Sequence, residues 1–203
     1  MKKIISLLFI ISLSGCVQLS TQYPEDSSET ISWDSHLQKI QDLQSWTLQG
    51  KLAVFLADDR QSTNIYWHQQ EKNYEIQLTS FIGTRILSIT KNELNTEIIN
   101  NDGEKFTGKD TNSLIQILSP GLDLPVQSLQ EWIKGNPINA SYQLNEQQRV
   151  ASLLGKDNQG GLWAVSYQQY RFSHGYYLPS KLELKKDNIR VKISISQWQL
   201  SDN

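Results

Sequence analysis

The chain has 203 residues, enough for one domain with a substantial core, and carries 19 Lys and Arg against 21 Asp and Glu. A formal charge of −2 argues against a nucleic-acid-binding surface. Beyond the N-terminus, no stretch approaches the roughly 20 apolar residues that a membrane-spanning helix needs.

The first residues read MKKIISLLFIISLSGC. Lys2 and Lys3 precede a short apolar run, Ile4 to Leu13, which is the layout of a secretory signal peptide. The ending LSGC resembles a bacterial lipobox, in which Cys16 becomes the lipidated first residue of the mature protein. A plain signal peptide with an accidental cysteine is the alternative. Cys16 is the only cysteine, so it cannot form an internal disulfide, and lipidation gives it a purpose. The expected organisation is a lipoprotein signal peptide over 1–15, a lipidated Cys and flexible tether over 16–31, and a folded domain over 32–203. The tether is polar and rich in Ser and Thr, without periodicity. Val17 follows the cysteine, where known sorting rules place Asp in lipoproteins kept at the inner membrane; it points to the outer membrane.

Trp33, Leu37, Ile40 and Leu43 recur at helical spacing, which predicts an amphipathic helix over Ser32 to Ser45. Strands follow. In WTLQGKLAVFLA, Trp46, Leu48, Leu52, Val54 and Leu56 share one face, and Gly50 marks a bend or bulge. STNIYWHQ aligns Thr63, Ile65 and Trp67, and NYEIQLT aligns Tyr74, Ile76 and Leu78. The turn that comes next, SFIGT, has Phe81 and Ile82 where polar residues are usual, beside Gly83. Such a tip either folds back onto the domain or offers its apolar side chains to something else. TRILSIT, LNTEII and EKFTG continue the strands, with NNDG as a hairpin turn.

The pattern then changes. Asp110 is suited to cap TNSLIQIL, and Pro125 to begin PVQSLQEWIKG, which Gly135 ends. Strands resume from ASYQLN to NIRVKISISQW, where Ile189, Val191, Ile193 and Ile195 alternate with Arg190, Lys192, Ser194 and Ser196. Three helices and ten or eleven short strands joined by tight turns predict a mainly β (α+β) domain. Its expected form is a single curled antiparallel sheet making an open barrel, with the short helices as a lid.

Enzymatic chemistry has no foothold. His36, His68 and His174 are the only histidines, and none stands at metal-ligand spacing. There is no nucleophile elbow, phosphate loop or dinucleotide motif, so no catalytic residue, cofactor or metal is expected. Six Trp and eight Tyr suit either an apolar pocket or a filled core; periodicity does not separate the two.

The order of these parts, with WTLQGKLAV, IYWHQ, LTSFIGT and SLQEWIKGNP (Ser128 to Pro137), resembles the LolB family of outer-membrane lipoproteins. The resemblance spans nearly all of the expected mature chain. It implies a fold like that of the periplasmic carrier LolA, with an acyl-chain cavity. It also implies an acceptor that takes lipoproteins from LolA and inserts them into the outer membrane, without ATP or cofactor. The protein would sit at the periplasmic face of a Gram-negative outer membrane, anchored through Cys16. Its partners would be LolA, lipoprotein cargo and the inner leaflet, not nucleic acid, and it would be monomeric. The family carries a protruding loop with Leu after Pro and before Gly. Here Ile82 takes the Leu position, Gly83 the Gly, and Phe81 replaces the Pro. The expected cavity residues are Leu52, Val54, Ile65, Trp67, Ile76 and Leu78 on strands, with Leu118 and Trp132 on the covering helices. A lipocalin-like carrier of another apolar ligand and a structural outer-membrane lipoprotein are the competing readings.

Overall fold

The computed structural model describes residues 31–57, 59–119, 124–157 and 160–200. Cys16 and nearly all of the expected tether lie outside them. Among the described residues, helix α1 (Trp33–Asp42) precedes six strands: β1 (Ser45–Phe55), β2 (Arg60–Gln70), β3 (Asn73–Thr79), β4 (Arg85–Lys91), β5 (Thr96–Asn100) and β6 (Lys105–Gly108). Helices α2 (Thr111–Leu118) and α3 (Val126–Trp132) follow, and then β7 (Ala140–Leu144), β8 (Val150–Lys156), β9 (Leu162–Ser173), β10 (Tyr176–Lys186) and β11 (Ile189–Leu200).

All eleven strands form one sheet in the order β6-β5-β4-β3-β2-β1-β11-β10-β9-β8-β7. Every neighbouring pair is antiparallel. Two runs of hairpins, one from each half of the chain, are joined through β1 and β11. β6 and β7 are therefore the two edges of an open barrel. The α2–α3 segment connects them, so it has to cross from one edge to the other, and it does so over the apolar face.

Strand positions follow from alternation. Along β9, Trp163, Val165 and Tyr167 are buried while Leu162, Ala164 and Ser166 face outward. Curvature comes from bulges. Gln49 pairs with Gln197 but Gly50 pairs with Ile195, so β11 holds one extra residue there. A Cβ on Gly50 would overlap the Ser194 carbonyl oxygen, which is why glycine stands at this crossing. The bulge also breaks strict alternation on β11, and Trp198 rather than Gln197 follows Ile195 into the core.

The helix ends follow local chemistry. Asp110 accepts hydrogen bonds from the Ser113 backbone N–H (3.0 Å) and hydroxyl (2.6 Å), which begins α2. α1 ends at Asp42, earlier than its periodicity predicts, because Leu43 turns extended and Ser45 already pairs in β1. Leu43 stays in the core, where its carbonyl accepts from the buried Lys134 ammonium at 2.9 Å. That ammonium also pairs with Glu131 at 3.0 Å, and the same Glu131 oxygen accepts from Asn136 at 2.6 Å. EWIKGN is thus a structural staple between α3 and the end of α1.

α1 brings one titratable group inside. His36 is 3% exposed, and its Nε2 is buried without a hydrogen-bond partner. Burial, reinforced by the nearby Arg149 and Lys39 charges, lowers its pKa from 6.5 to about 4. The neutral ring is the form the fold accepts. Below pH 6.5 the unfolded chain binds a proton that the folded chain refuses until pH about 4, so stability falls as pH drops through that window. The loss attributable to this histidine should reach on the order of 2–3 kcal/mol. Comparing urea unfolding from pH 7 to 4 in the wild type and in His36→Gln checks it: the variant should lack this part of the slope.

Candidate functional site: an apolar cavity with an exposed apolar turn at its rim

The inward side chains of β1 to β4 do not meet those of the opposite wall everywhere. They leave a cavity of about 430 Å³, within the usual range of ligand pockets. Leu52 and Val54 of β1, Ile65 and Trp67 of β2, and Ile76 and Leu78 of β3 line it. Leu184, Val191 and Ile193 form the facing wall, while Ile115, Leu118, Val126 and Leu129 cover it from α2 and α3. Seven of the eight side chains expected to line a cavity do so.

Trp132 does not. It is 1% exposed and lies under the other half of the sheet, where a Cβ on Gly155 would come within 2.5 Å of its Cζ2. Its backbone carbonyl accepts from the Tyr167 hydroxyl at 2.6 Å. As α3 runs across the barrel, Val126 and Leu129 cover the cavity, and Trp132 has already passed onto β8 and β9. The lining residues that sequence reasoning missed include Leu87 and Ile89 of β4, Ile115 of α2, these α3 positions, the β10–β11 wall and the polar rim. Val191 and Ile193 stood out in the alternation of β11, but nothing local to the sequence pairs β11 with β1.

Aromatic rings pack around Trp67 behind the cavity wall. Trp46 lies 5.3 Å from Trp67 and from Trp198, and Trp67 lies 6.0 Å from Tyr74. The indole of Trp67 donates to Gln69 at 3.1 Å and that of Trp198 to the Pro179 carbonyl at 2.9 Å, so neither leaves an unpaired donor in the core. The Tyr74 hydroxyl shares a hydrogen bond with Thr111 at 2.7 Å, and Thr111 another with Thr96 at 3.0 Å. Burial raises the Tyr74 pKa to about 12, so it stays a neutral phenol. This trio pins the first residue of α2 to the barrel. The other end of α2 reaches the rim, where Leu118 and Ser119 join Asp59, Gln61 and Asn100 to Asp102 around the mouth.

The turns after β1, β3 and β5 project at one end of the sheet, by the alternation of hairpins. The cavity rim lies there, and so does the turn between β3 and β4. In that turn Phe81 is 92% exposed and Ile82 is 72% exposed. The turn is nonetheless ordered by its own backbone. The Gly83 N–H donates to the Ser80 carbonyl at 3.0 Å, and the Ser80 N–H donates to the Thr84 carbonyl at 2.8 Å. The Ser80 hydroxyl accepts from the Thr84 N–H at 3.1 Å, and Asn64 donates to the Ser80 carbonyl at 2.9 Å. Gly83 has φ +87°, which glycine adopts without strain. Two large apolar side chains are therefore held out in solvent on a closed hydrogen-bonded turn, where a soluble surface gains nothing from them.

Among the described residues, no group of three or more His, Cys, Asp or Glu could hold a metal ion. His68 bonds Thr47 at 2.8 Å and His174 bonds Ser173 at 2.9 Å, both away from the cavity.

Residues 44–198 match the family model described as "Outer membrane lipoprotein LolB". The chain is similar to the outer-membrane lipoprotein LolB of Psychromonas ingrahamii, with 42% identity over 96% of this chain and 94% of that one. Its likeness to the protein of the same name from Pseudoalteromonas translucida is 34%, over 96% and 92%. In fold it resembles the LolA superfamily protein NE2245 from Nitrosomonas europaea, at TM-score 0.55 and 11% identity, over 85% of this chain and 95% of that one. A DUF1329 family protein from Desulfovibrio piger gives TM-score 0.56 at 6% identity, over 83% and 91%. With an open eleven-stranded antiparallel sheet, a helical cover and this run of matched residues, the chain belongs to the LolB family of outer-membrane lipoproteins.

Proposed function

We propose that this protein receives lipoproteins from the periplasmic carrier LolA, holds their acyl chains in the cavity beneath α2 and α3, and releases them into the inner leaflet of the outer membrane. One observation carries the reading: an apolar cavity and an exposed apolar turn share one end of the molecule. A cargo acyl chain of about 16 carbons costs on the order of 13 kcal/mol to expose to water, at ~0.8 kcal/mol per CH₂. Cargo cannot dissociate and rebind at a useful rate, so it has to pass between apolar sites that are already in contact. The cavity would supply the receiving site, and Phe81 and Ile82 would bring its rim to the leaflet. Each gains roughly 1.5–3 kcal/mol if fully buried there. The transfer needs no nucleotide, since affinity alone drives it from carrier to acceptor to bilayer.

In the same reading, residues 1–15 are a signal peptide, and Cys16 carries the lipid that keeps the acceptor at its destination. Two or more acyl chains on one cysteine anchor stably, where one chain alone does not. The direct test is incubation with a purified LolA–lipoprotein complex, with cargo followed by pull-down. A form secreted through a non-lipid signal and carrying Cys16→Ser should be soluble and should accept cargo as well as the lipidated protein does, because neither cavity nor turn depends on the anchor. If neither form takes up cargo, the acceptor reading fails. If only the lipidated form does, the anchor does more than localise.

A further inference from the structure

The outer face of the barrel carries a second feature at the same end. Phe55 is the last residue of β1 and points outward, opposite to the cavity-lining Val54. It pairs with Arg60 on β2 and with Arg190 on β11. Both guanidinium groups lie against its ring, Arg190 at 4.3 Å from the centroid and Arg60 at 5.0 Å, with the Lys192 ammonium at 5.8 Å. The ring gives the two arginines a shared platform, and stacked guanidiniums keep their donor edges free.

Glu183 is bridged by Lys185 (2.7 Å) and Lys192 (3.3 Å), which leaves that group with one positive charge in excess. Asp59 bonds Gln61 at the cavity rim, and Asp187 stands exposed in the β10–β11 turn. Among the described residues, neither Arg60 nor Arg190 forms an ion pair with a carboxylate. Two arginines held against one ring from the opposite sides of β1, with no carboxylate partner among the described residues, make a basic point on a protein of net negative charge. Their Cα atoms lie about 10 Å apart, two strand spacings, within which a phosphate can reach both side chains.

Position identifies the ligand. β2 runs four residues past Asn64, the partner of Thr79 at the base of the exposed turn, before it ends at Arg60. The arginines and the Phe81–Ile82 tip therefore project in the same direction. By register Arg60 reaches at least as far in that direction as the tip, so the two features would meet the same approaching surface. Apolar anchors beside basic residues are the combination by which peripheral proteins hold an anionic lipid surface.

We infer that Arg60, Phe55 and Arg190 form a phosphate clamp for anionic phospholipid head groups, which orients the cavity mouth toward the leaflet. The assignment rests on the membrane-facing reading of this rim, but it is testable apart from cargo transfer. The secreted Cys16→Ser protein is mixed with vesicles of phosphatidylcholine, with or without phosphatidylglycerol, and binding is read by flotation. Phosphatidylglycerol should tighten wild-type binding, and Arg60→Gln with Arg190→Gln should weaken binding to those vesicles roughly 10- to 30-fold, while leaving phosphatidylcholine binding unchanged. Arg60→Lys with Arg190→Lys keeps both charges and should recover most of it; recovery of none overturns the charge-based assignment. Unchanged binding by the glutamine pair overturns the clamp. So does displacement from vesicles by low inorganic phosphate, which marks a free-phosphate site. Loss of cargo uptake from LolA with vesicle binding intact assigns the arginines to the carrier instead. Phe81→Ser with Ile82→Ser should weaken binding to both kinds of vesicle, so failure of the turn and failure of the clamp read out separately.

Discussion

Phe81→Glu combined with Ile82→Glu should leave uptake of cargo from LolA intact and cut delivery to liposomes by about 100-fold or more, with cargo accumulating on the variant. The two side chains together forfeit roughly 3–6 kcal/mol of burial in the leaflet, and each carboxylate adds a desolvation cost at the lipid surface. Stability should move by no more than about 0.5 kcal/mol, since both positions are solvent-exposed and the turn is held by Ser80, Gly83 and Thr84 backbone bonds rather than by the side chains that change. Thermal melting checks the fold, and a liposome transfer assay checks the function. Normal delivery by the double variant would remove the turn from the membrane step. Loss of uptake would place Phe81 and Ile82 in the carrier interface.

The cavity gives the second large effect. Val54→Trp combined with Leu78→Trp should abolish uptake while preserving the fold. Both positions line the cavity and are only partly buried, so the added rings have a void to enter. Overpacking in a filled core costs about 1–3 kcal/mol; here new apolar contact offsets most of that. A fluorescent fatty acid should bind the double variant at least about 10-fold more weakly than the wild type, from the lost burial of only two methylenes or more. Full binding with unchanged stability would show that acyl chains lie elsewhere. The pair also separates uptake from delivery: this variant fails at the first step, the glutamate variant at the second.

The resemblance-bearing motifs divide differently in space than in sequence. LTSFIGT ends in the exposed turn, and IYWHQ sends Trp67 into the cavity wall. SLQEWIKGNP lies mostly outside the cavity. Its Glu131, Lys134 and Asn136 tie α3 to the carbonyl of Leu43, while Gly135, at φ +83°, turns the chain against Tyr170. The pattern that best marks the family on this chain is therefore largely a fold-holding element. Only Leu129 of its first turn covers the cavity.

By itself, the sequence determined what is local. Alternation defined the strands, since a two-residue period leaves one face apolar whatever the strand pairs with. Asp110, Pro125 and Gly135 marked helix ends, because caps and left-handed turns depend on a few adjacent residues. Phe81 and Ile82 were legible as misplaced in a turn for the same reason. The tertiary structure alone decided what depends on distant segments. Pairing of β1 with β11 joins residues more than a hundred positions apart, and no periodicity encodes a partner across that distance. The bulge opposite Gly50 sends Trp198 inward where alternation would send Gln197, because the crossing strands need one extra residue to curve. Trp132 satisfies the helical stripe equally well over the cavity or beyond it, and only the path of α3 places it against Gly155. Whether the barrel held a void or a solid core depended on how far the facing walls stand apart; that distance is fixed by the curvature of the whole sheet and is written in no single strand.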